Sequence, residues 1–238
     1  MKAVVIGDIH GRNVWRRIVE NDTESHFIFL GDYVDPYSFE LINEDECFEN
    51  FEDLIDFKKK NPDRVTFLIG NHDAQYLNYP NFGASRLSRH YLQESLDLFR
   101  INYDLFQYAF QIENNLFIHA GITTGWYKDY EFVLLKYGLL PDLSNIADVI
   151  NKIGNSPKVE IFDVVSYYRG GTSLNGSPIW ADENEFIGRR NPGYLPGLHQ
   201  FVGHNKQKNI RKIGDSISSI TFCDCLWNKV NTATLKID

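Results

Sequence analysis

Ala3-Val4-Val5-Ile6-Gly7-Asp8-Ile9-His10-Gly11 is a short apolar run that ends in glycine, carboxylate, imidazole and glycine. Residues 3–6 read as a buried strand, and the polar residues follow at its carboxyl end. The pattern recurs along the chain. Residues 27–30 lead into Gly31-Asp32-Tyr33-Val34-Asp35, and residues 65–69 into Gly70-Asn71-His72-Asp73. Residues 116–118 lead into His119-Ala120-Gly121, and Phe201-Val202 into Gly203-His204-Asn205. One Gly-Asp after a strand is usually a turn or a helix cap. Five strand ends that repeat one chemistry are hard to obtain from turn preference alone. In open α/β sheets, ligands gather beyond the carboxyl ends of the strands. Glycine there lets the chain turn sharply and leaves room for an ion or substrate. Carboxylate oxygen, imidazole nitrogen and amide oxygen together form a donor set that suits Mn, Fe, Zn or Ni better than Ca or Cu(I).

The segments between these runs set the fold class. Residues 13–20 and 45–60 read as helices, the second with Phe48, Phe51, Leu54 and Ile55 on one face. Strand, helix and strand in alternation imply parallel pairing. Residues 73–110 read as mostly helical. Residues 110–113 and 116–119 flank Asn114-Asn115, which suggests a hairpin. Residues 126–153 are helical in patches, broken at Gly138 and Pro141, and 166–178 form a loop rich in glycine and serine. The tail carries strand-like runs at 200–202, 210–213, 217–223 and 232–237. An αβ first half and a β-rich second half predict two sheets packed together with helices outside.

Composition narrows the function classes. At 238 residues the chain suits one domain over 1–238, with 43% hydrophobic and 24% charged residues. A net charge of −8 argues against general nucleic-acid binding, which needs a basic face. Phosphate can still be handled locally, because bound divalent cations invert the field inside a cleft. No stretch approaches the ~20 apolar residues of a membrane helix, and no signal segment opens the chain. Three cysteines, Cys47, Cys223 and Cys225, point to a reducing compartment, and a cytoplasmic location is expected. Cys223-x-Cys225 has the look of a metal half-site, but it sits in an alternating run with no second pair, which favours buried strand cysteines. His26, His90 and His199 lack the strand-end context and read as structural.

The blocks Gly7-Asp8-Ile9-His10-Gly11, Gly31-Asp32-Tyr33-Val34-Asp35 and Gly70-Asn71-His72-Asp73 resemble the signature blocks of the calcineurin-like metallophosphoesterases. The branch they most resemble is the serine/threonine phosphoprotein phosphatases with their bacterial, phage and diadenosine-tetraphosphatase relatives. His119-Ala120-Gly121 and Gly203-His204 resemble the later metal histidines, and Trp180-Ala181-Asp182 a tryptophan-containing block. The resemblance is strong over 1–125 and thinner over 165–205. It implies a four-layer α/β/β/α sandwich with two central mixed β-sheets. It further implies two divalent metal ions, with manganese first among the candidates. Asp8 and His10 would hold one ion, Asn71, His119 and His204 the other, and Asp32 would bridge them. His72 would protonate the leaving oxygen, and Asp35 would orient His72.

Two departures bear on substrate. The phosphatase block continues Asp-Arg-Gly, and its arginine grips phosphate; here Asp35 is followed by Pro36-Tyr37. Candidate replacements are Arg169, Arg189 and Arg190. Arg169 precedes Gly170-Gly171, and Arg189 follows the tryptophan block where the phosphatases carry another phosphate-binding arginine. Ala120 stands where those phosphatases have glycine and resembles the dinucleotide-hydrolase branch. Three readings follow: a phosphomonoesterase acting on phosphoprotein or a small phosphate ester, a nucleotide phosphodiesterase or dinucleotide polyphosphate hydrolase, and a non-catalytic scaffold. The intact set of ligand positions and the His72–Asp35 pair argue against the last.

Overall fold

The first three strands are apolar on both faces, so each must be covered on two sides. The computed structural model describes residues 2–187 and 193–236 and shows how this is done. In chain order the early elements are β1 (Lys2–Ile6), α1 (Trp15–Val19), β2 (His26–Phe29), α2 (Glu44–Lys60) and β3 (Val65–Leu68). Next come α3 (Asn71–Leu77), α4 (Leu92–Ile101), β4 (Phe106–Gln107), β5 (Ala109–Ile112) and β6 (Asn115–Ile118). They are followed by α5 (Thr124–Lys136), α6 (Ile146–Gly154), α7 (Glu183–Phe186) and β7 (His199–Val202). The last elements are β8 (Arg211–Gly214), β9 (Ser219–Phe222) and β10 (Ala233–Lys236).

Two five-stranded sheets result, in the orders β10-β1-β2-β3-β4 and β5-β6-β7-β9-β8. β1, β2, β3 and β4 run parallel and β10 is antiparallel; β6, β7 and β9 run parallel with antiparallel β5 and β8 at the edges. Both sheets are therefore mixed, as expected. Strand alternation divides the side chains. Ala3, Val5, Ile28, Leu30 and Leu68 pack against Phe117, Phe201 and Cys223 between the sheets. Val4, Ile6, Phe27, Phe29 and Phe67 face the other way, into the cluster that holds Phe51 and Leu54 of α2.

The helices begin where local chemistry dictates. Asn43 Oδ1 accepts from Glu46 N (2.8 Å) and Glu46 Oε2 accepts from Asn43 N (3.1 Å), a reciprocal cap that starts α2. In α5, Thr123 accepts from Trp126 N at 3.0 Å, and Gly138 follows the helix at φ +95°.

Three expectations need correction. Residues 73–110 are not mostly helical: 78–91 lie outside any helix, between α3 and α4. Pro80 and Gly83 in that stretch disfavour a continuous helix. The hairpin turn is Glu113-Asn114, one residue earlier than read, with Ile112 opposite Asn115 and Glu113 at φ +53°. Cys223 and Cys225 are buried and free as expected, but both lie just beyond β9 rather than within it.

Candidate metal centre and active site

The polar residues after β1, β2, β3, β6 and β7 converge on one edge of the two sheets. Two groups of three donors have all their ligand atoms within 4.8 Å of one another: Asp8, His10 and Asp32, and Asp32, His119 and His204. The groups share Asp32. Its Oδ2 lies 3.4 Å from His10 Nε2 and 3.5 Å from His119 Nε2. Asn71 joins the second group through Oδ1, 3.1 Å from His119 Nε2. All six side chains are buried.

Several of these positions are conformationally strained. His10, Asp32, Asp35 and His204 take φ of +43°, +52°, +59° and +59°. Non-glycine residues rarely occupy this region, and such strain concentrates at functional sites. The neighbouring glycines serve space rather than dihedral freedom in two cases. A Cβ on Gly70 would lie 2.2 Å from Asp32 Oδ1, and one on Gly203 would lie 2.1 Å from Asp8 Oδ1.

Backbone groups aim the ligands. His10 Nδ1 meets Val34 O at 2.9 Å and His119 Nδ1 meets Leu30 O at 2.7 Å, so each Nδ1 carries the hydrogen and Nε2 faces the cleft with a lone pair. His204 N donates to Asp8 Oδ1 (2.9 Å), and His72 N to Asp32 Oδ1 (2.9 Å). Asp73, read in sequence only as part of its block, binds the strand ends together. Its carboxylate accepts from Asp32 N, Tyr33 N and Gly70 N at 2.7, 2.9 and 2.8 Å.

The electrostatics fit divalent cations. Burial pushes the Asp8 carboxyl up to about 6. Burial also raises Asp32, but His119, His72 and His10 outweigh it and hold that carboxyl at about 2. Burial lowers His10 and His204 well below the usual imidazole range, so both present neutral nitrogens, the form that ligates metal. His204 Nε2 is buried without a hydrogen-bond partner among the described residues. Such an orphaned acceptor beside two buried carboxylates is the arrangement a bound cation completes.

Beside this centre, His72 Nδ1 meets Asp35 Oδ2 at 2.8 Å. Asp35 is itself anchored by the Tyr76 hydroxyl (2.6 Å) and by Gln75 Nε2, two partners invisible in sequence. A cavity of about 200 Å³ opens here, lined by Asp32, Asn71, His72, His204, Tyr37, Arg86, Arg169 and Trp180. Arg169 lines it, but its guanidinium is engaged: Nε ion-pairs with Asp182 at 2.8 Å, and Nη2 donates to His204 O and Asn205 Oδ1. Arg189 and Arg190 lie outside the described residues. Arg86 was not foreseen. It comes from the segment read as helix, and nothing in its local sequence marks it.

His26, His90 and His199 stay away from the centre. His26 Nε2 bonds Thr66 Oγ1 and stacks on Phe110, and His199 Nδ1 bonds Ser219 Oγ.

Comparison with known proteins agrees with this geometry. Residues 1–186 match the family model of the calcineurin-like phosphoesterases. Curated relatives include the serine/threonine-protein phosphatase SIT4 of Candida albicans, 37% identical over 81 residues, 31% of this chain and 24% of that protein. Another is the serine/threonine-protein phosphatase 4 catalytic subunit of Eremothecium gossypii, 33% identical over 78 residues, 31% of this chain and 23% of that one. The chain thus spans about a quarter of the length of these two relatives. Among solved structures, a cold-active protein-tyrosine phosphatase of a psychrophilic Shewanella matches with TM-score 0.58 and 17% identity, over 99% of this chain and 75% of that one. A protein serine/threonine phosphatase of Saccharomyces cerevisiae matches with TM-score 0.51 and 17% identity, over 94% and 67%. These structural likenesses are evidence of shared fold. With the matched family model covering most of the chain, this protein belongs to the calcineurin-like phosphoesterase family.

Proposed function

We propose that the protein is a dimetal-dependent phosphoesterase of the serine/threonine phosphatase type, acting on phosphomonoesters. The observation that carries this reading is the pair of ligand groups sharing Asp32, set beside the His72–Asp35 pair. Asp8 and His10 would hold one ion, Asn71, His119 and His204 the other, and Asp32 would serve both. The residues suit manganese, with Fe, Zn or Ni as alternatives. When bound, divalent ions would supply positive charge for phosphoryl oxygens and acidify the attacking water.

The chain's own groups do the rest. Asp35, fixed by Tyr76 and Gln75, holds the Nδ1 hydrogen of His72 and turns Nε2 towards the cavity, where it accepts from Arg86 Nη2. Once freed of Arg86 and protonated from solvent, Nε2 would pass that proton to the departing alkoxide oxygen. Arg169 stiffens the wall by tying His204 O and Asn205 to Asp182.

Phosphoprotein or small phosphate esters are the favoured substrates. The similarity to serine/threonine-protein phosphatases supports this. The three buried free cysteines suit a reducing compartment such as the cytoplasm. No helix among the described residues is long and apolar enough to cross a membrane.

The test is a panel of phosphomonoesters, phosphodiesters and a bis-nucleoside tetraphosphate assayed with Mn²⁺ supplied. Monoester turnover should dominate. Exclusive cleavage of the dinucleotide would replace this reading with the nucleotide one.

A further inference from the structure

The sequence leaves one charge unaccounted for. A phosphomonoester is close to a dianion at neutral pH, and arginine forks commonly bind the oxygens that metal ions do not. The position after Asp35 is Pro36, which offers no charge.

The structure brings Arg86 to this place from 50 positions further along the chain. Three contacts hold it. Nη1 donates to Asp35 O at 2.8 Å, Nη2 donates to His72 Nε2 at 2.9 Å, and the guanidinium lies over the Tyr37 ring, 3.6 Å from its centroid. The residues that displaced the expected arginine therefore form the seat of another. Tyr37 supplies a face and Asp35 a carbonyl. The Arg86 backbone is held at φ +64°, a left-handed conformation that non-glycine residues rarely adopt.

Charge separates Arg86 from Arg169. Arg169 ion-pairs with Asp182, whereas Arg86 has no carboxylate within ion-pair range among the described residues. Both line the cavity that also exposes Asp32, Asn71 and His204. An unneutralised guanidinium beside a candidate metal centre is suited to an anion.

We propose that Arg86 is the phosphoryl-binding arginine of this enzyme, and that substrate replaces His72 Nε2 as the acceptor of its Nη2 hydrogen. The exchange follows from position. Nε2 is the atom that must face the leaving oxygen, and in the present arrangement Arg86 covers it. When the phosphoryl group enters, its oxygen accepts the Nη2 hydrogen bond in place of Nε2, and the uncovered Nε2 takes a proton from solvent that it then gives to the leaving oxygen. The Asp35 carbonyl and the Tyr37 ring keep the guanidinium in place throughout. This assignment rests on the phosphoesterase reading for its catalytic meaning, but anion binding tests it separately.

The experiment uses the Mn²⁺-loaded full chain. Inorganic phosphate binding is measured by calorimetry and by the shift it causes in thermal midpoint, for wild type, Arg86→Ala, Arg86→Lys and Arg169→Ala. Steady-state kinetics are measured on nitrophenyl phosphate and on its bis-nitrophenyl diester, with metal content checked for each variant. Arg86→Ala should bind phosphate about tenfold or more weakly, since a charge-assisted contact is lost. Its metal content should be unchanged. Its KM should rise more for the dianionic monoester than for the monoanionic diester. Arg86→Lys should recover part of the phosphate affinity, and Arg169→Ala should lose less than Arg86→Ala. Unchanged phosphate affinity in both Arg86 variants, with metal retained, overturns the assignment whatever their turnover. A wild type that binds phosphate through Arg86 but cleaves no ester overturns the proposed function and leaves the assignment standing.

Discussion

His72 and Asp32 are single residues on which different parts of the chemistry rest. His72 is held by Asp35, which is in turn held by Tyr76 and Gln75, so its ring is pre-oriented before substrate arrives. Replacing it as His72→Asn should lower kcat by roughly 10²–10⁴ on alkyl phosphates, which need a proton on the leaving oxygen. The loss should be smaller on nitrophenyl phosphate, whose leaving group is stable as an anion. Equal losses on both substrates would assign His72 another task. Asp32 belongs to both ligand groups, whereas Asp8 belongs to one. Asp32→Asn should therefore cost more turnover than Asp8→Asn and reduce metal content at both positions, read by elemental analysis alongside the rate. Two retained ions and near-normal turnover in Asp32→Asn would refute a shared ligand. Arg86 marks the limit of reading at this scale. Its role depends on a contact across 51 positions and on an irregular segment, and neither leaves a periodic trace in sequence. The six ligand positions, by contrast, each follow a strand and repeat one local pattern.

Strand ends and helix caps are where elements become a site. The parallel order β1-β2-β3 and the parallel pair β6-β7 bring five strand ends to one edge, which the alternation of apolar runs and helices foreshadowed. The boundaries of β1, β2, β3, β6 and β7 fall within a residue of the apolar runs, because burial on both faces demands continuous apolar sequence, whereas the two-residue β4 lies inside the stretch that reads as helix. The segment 78–91 mimics a helix in sequence because Tyr79, Phe82, Leu87 and Tyr91 recur every three to five residues. Two substitutions separate what an element does for the fold from what it does for the site. Gly70→Ala puts a Cβ 2.2 Å from Asp32 Oδ1, 2.7 Å from Asp32 N and 2.8 Å from the His119 ring, so it should displace both ligands and lower metal affinity sharply while far-ultraviolet circular dichroism stays native. Asn43→Ala removes the cap of α2 and should cost about 1 kcal/mol in denaturant unfolding, with metal affinity untouched. A Gly70→Ala variant with wild-type metal affinity would mean the Asp32 carboxylate is free to move aside.

Across the whole molecule, two sheets and their helices isolate a group of carboxylates and imidazoles from water, and burial sets the terms for what the group accepts. Asp32 stays charged with its carboxyl at about 2, while burial pushes Asp8 to about 6, so Asp8 is the carboxylate that takes a proton first. A metal ion must displace that proton once the pH is below about 6. The affinity for Mn²⁺ should accordingly hold between pH 7.5 and 6.5 and weaken as pH falls through 6, with proton release per ion rising over the same window. Titration calorimetry in buffers of different ionisation enthalpy reads both quantities. The claim on which everything else depends is that two ions sit in this centre and are required. The most direct measurement is the metal-to-protein ratio by elemental analysis after Mn²⁺ loading and gel filtration, paired with phosphomonoester turnover before and after chelation. Two ions per chain, turnover abolished by chelation and turnover restored by Mn²⁺ is the expected result. Full turnover in protein shown to be free of metal would contradict it.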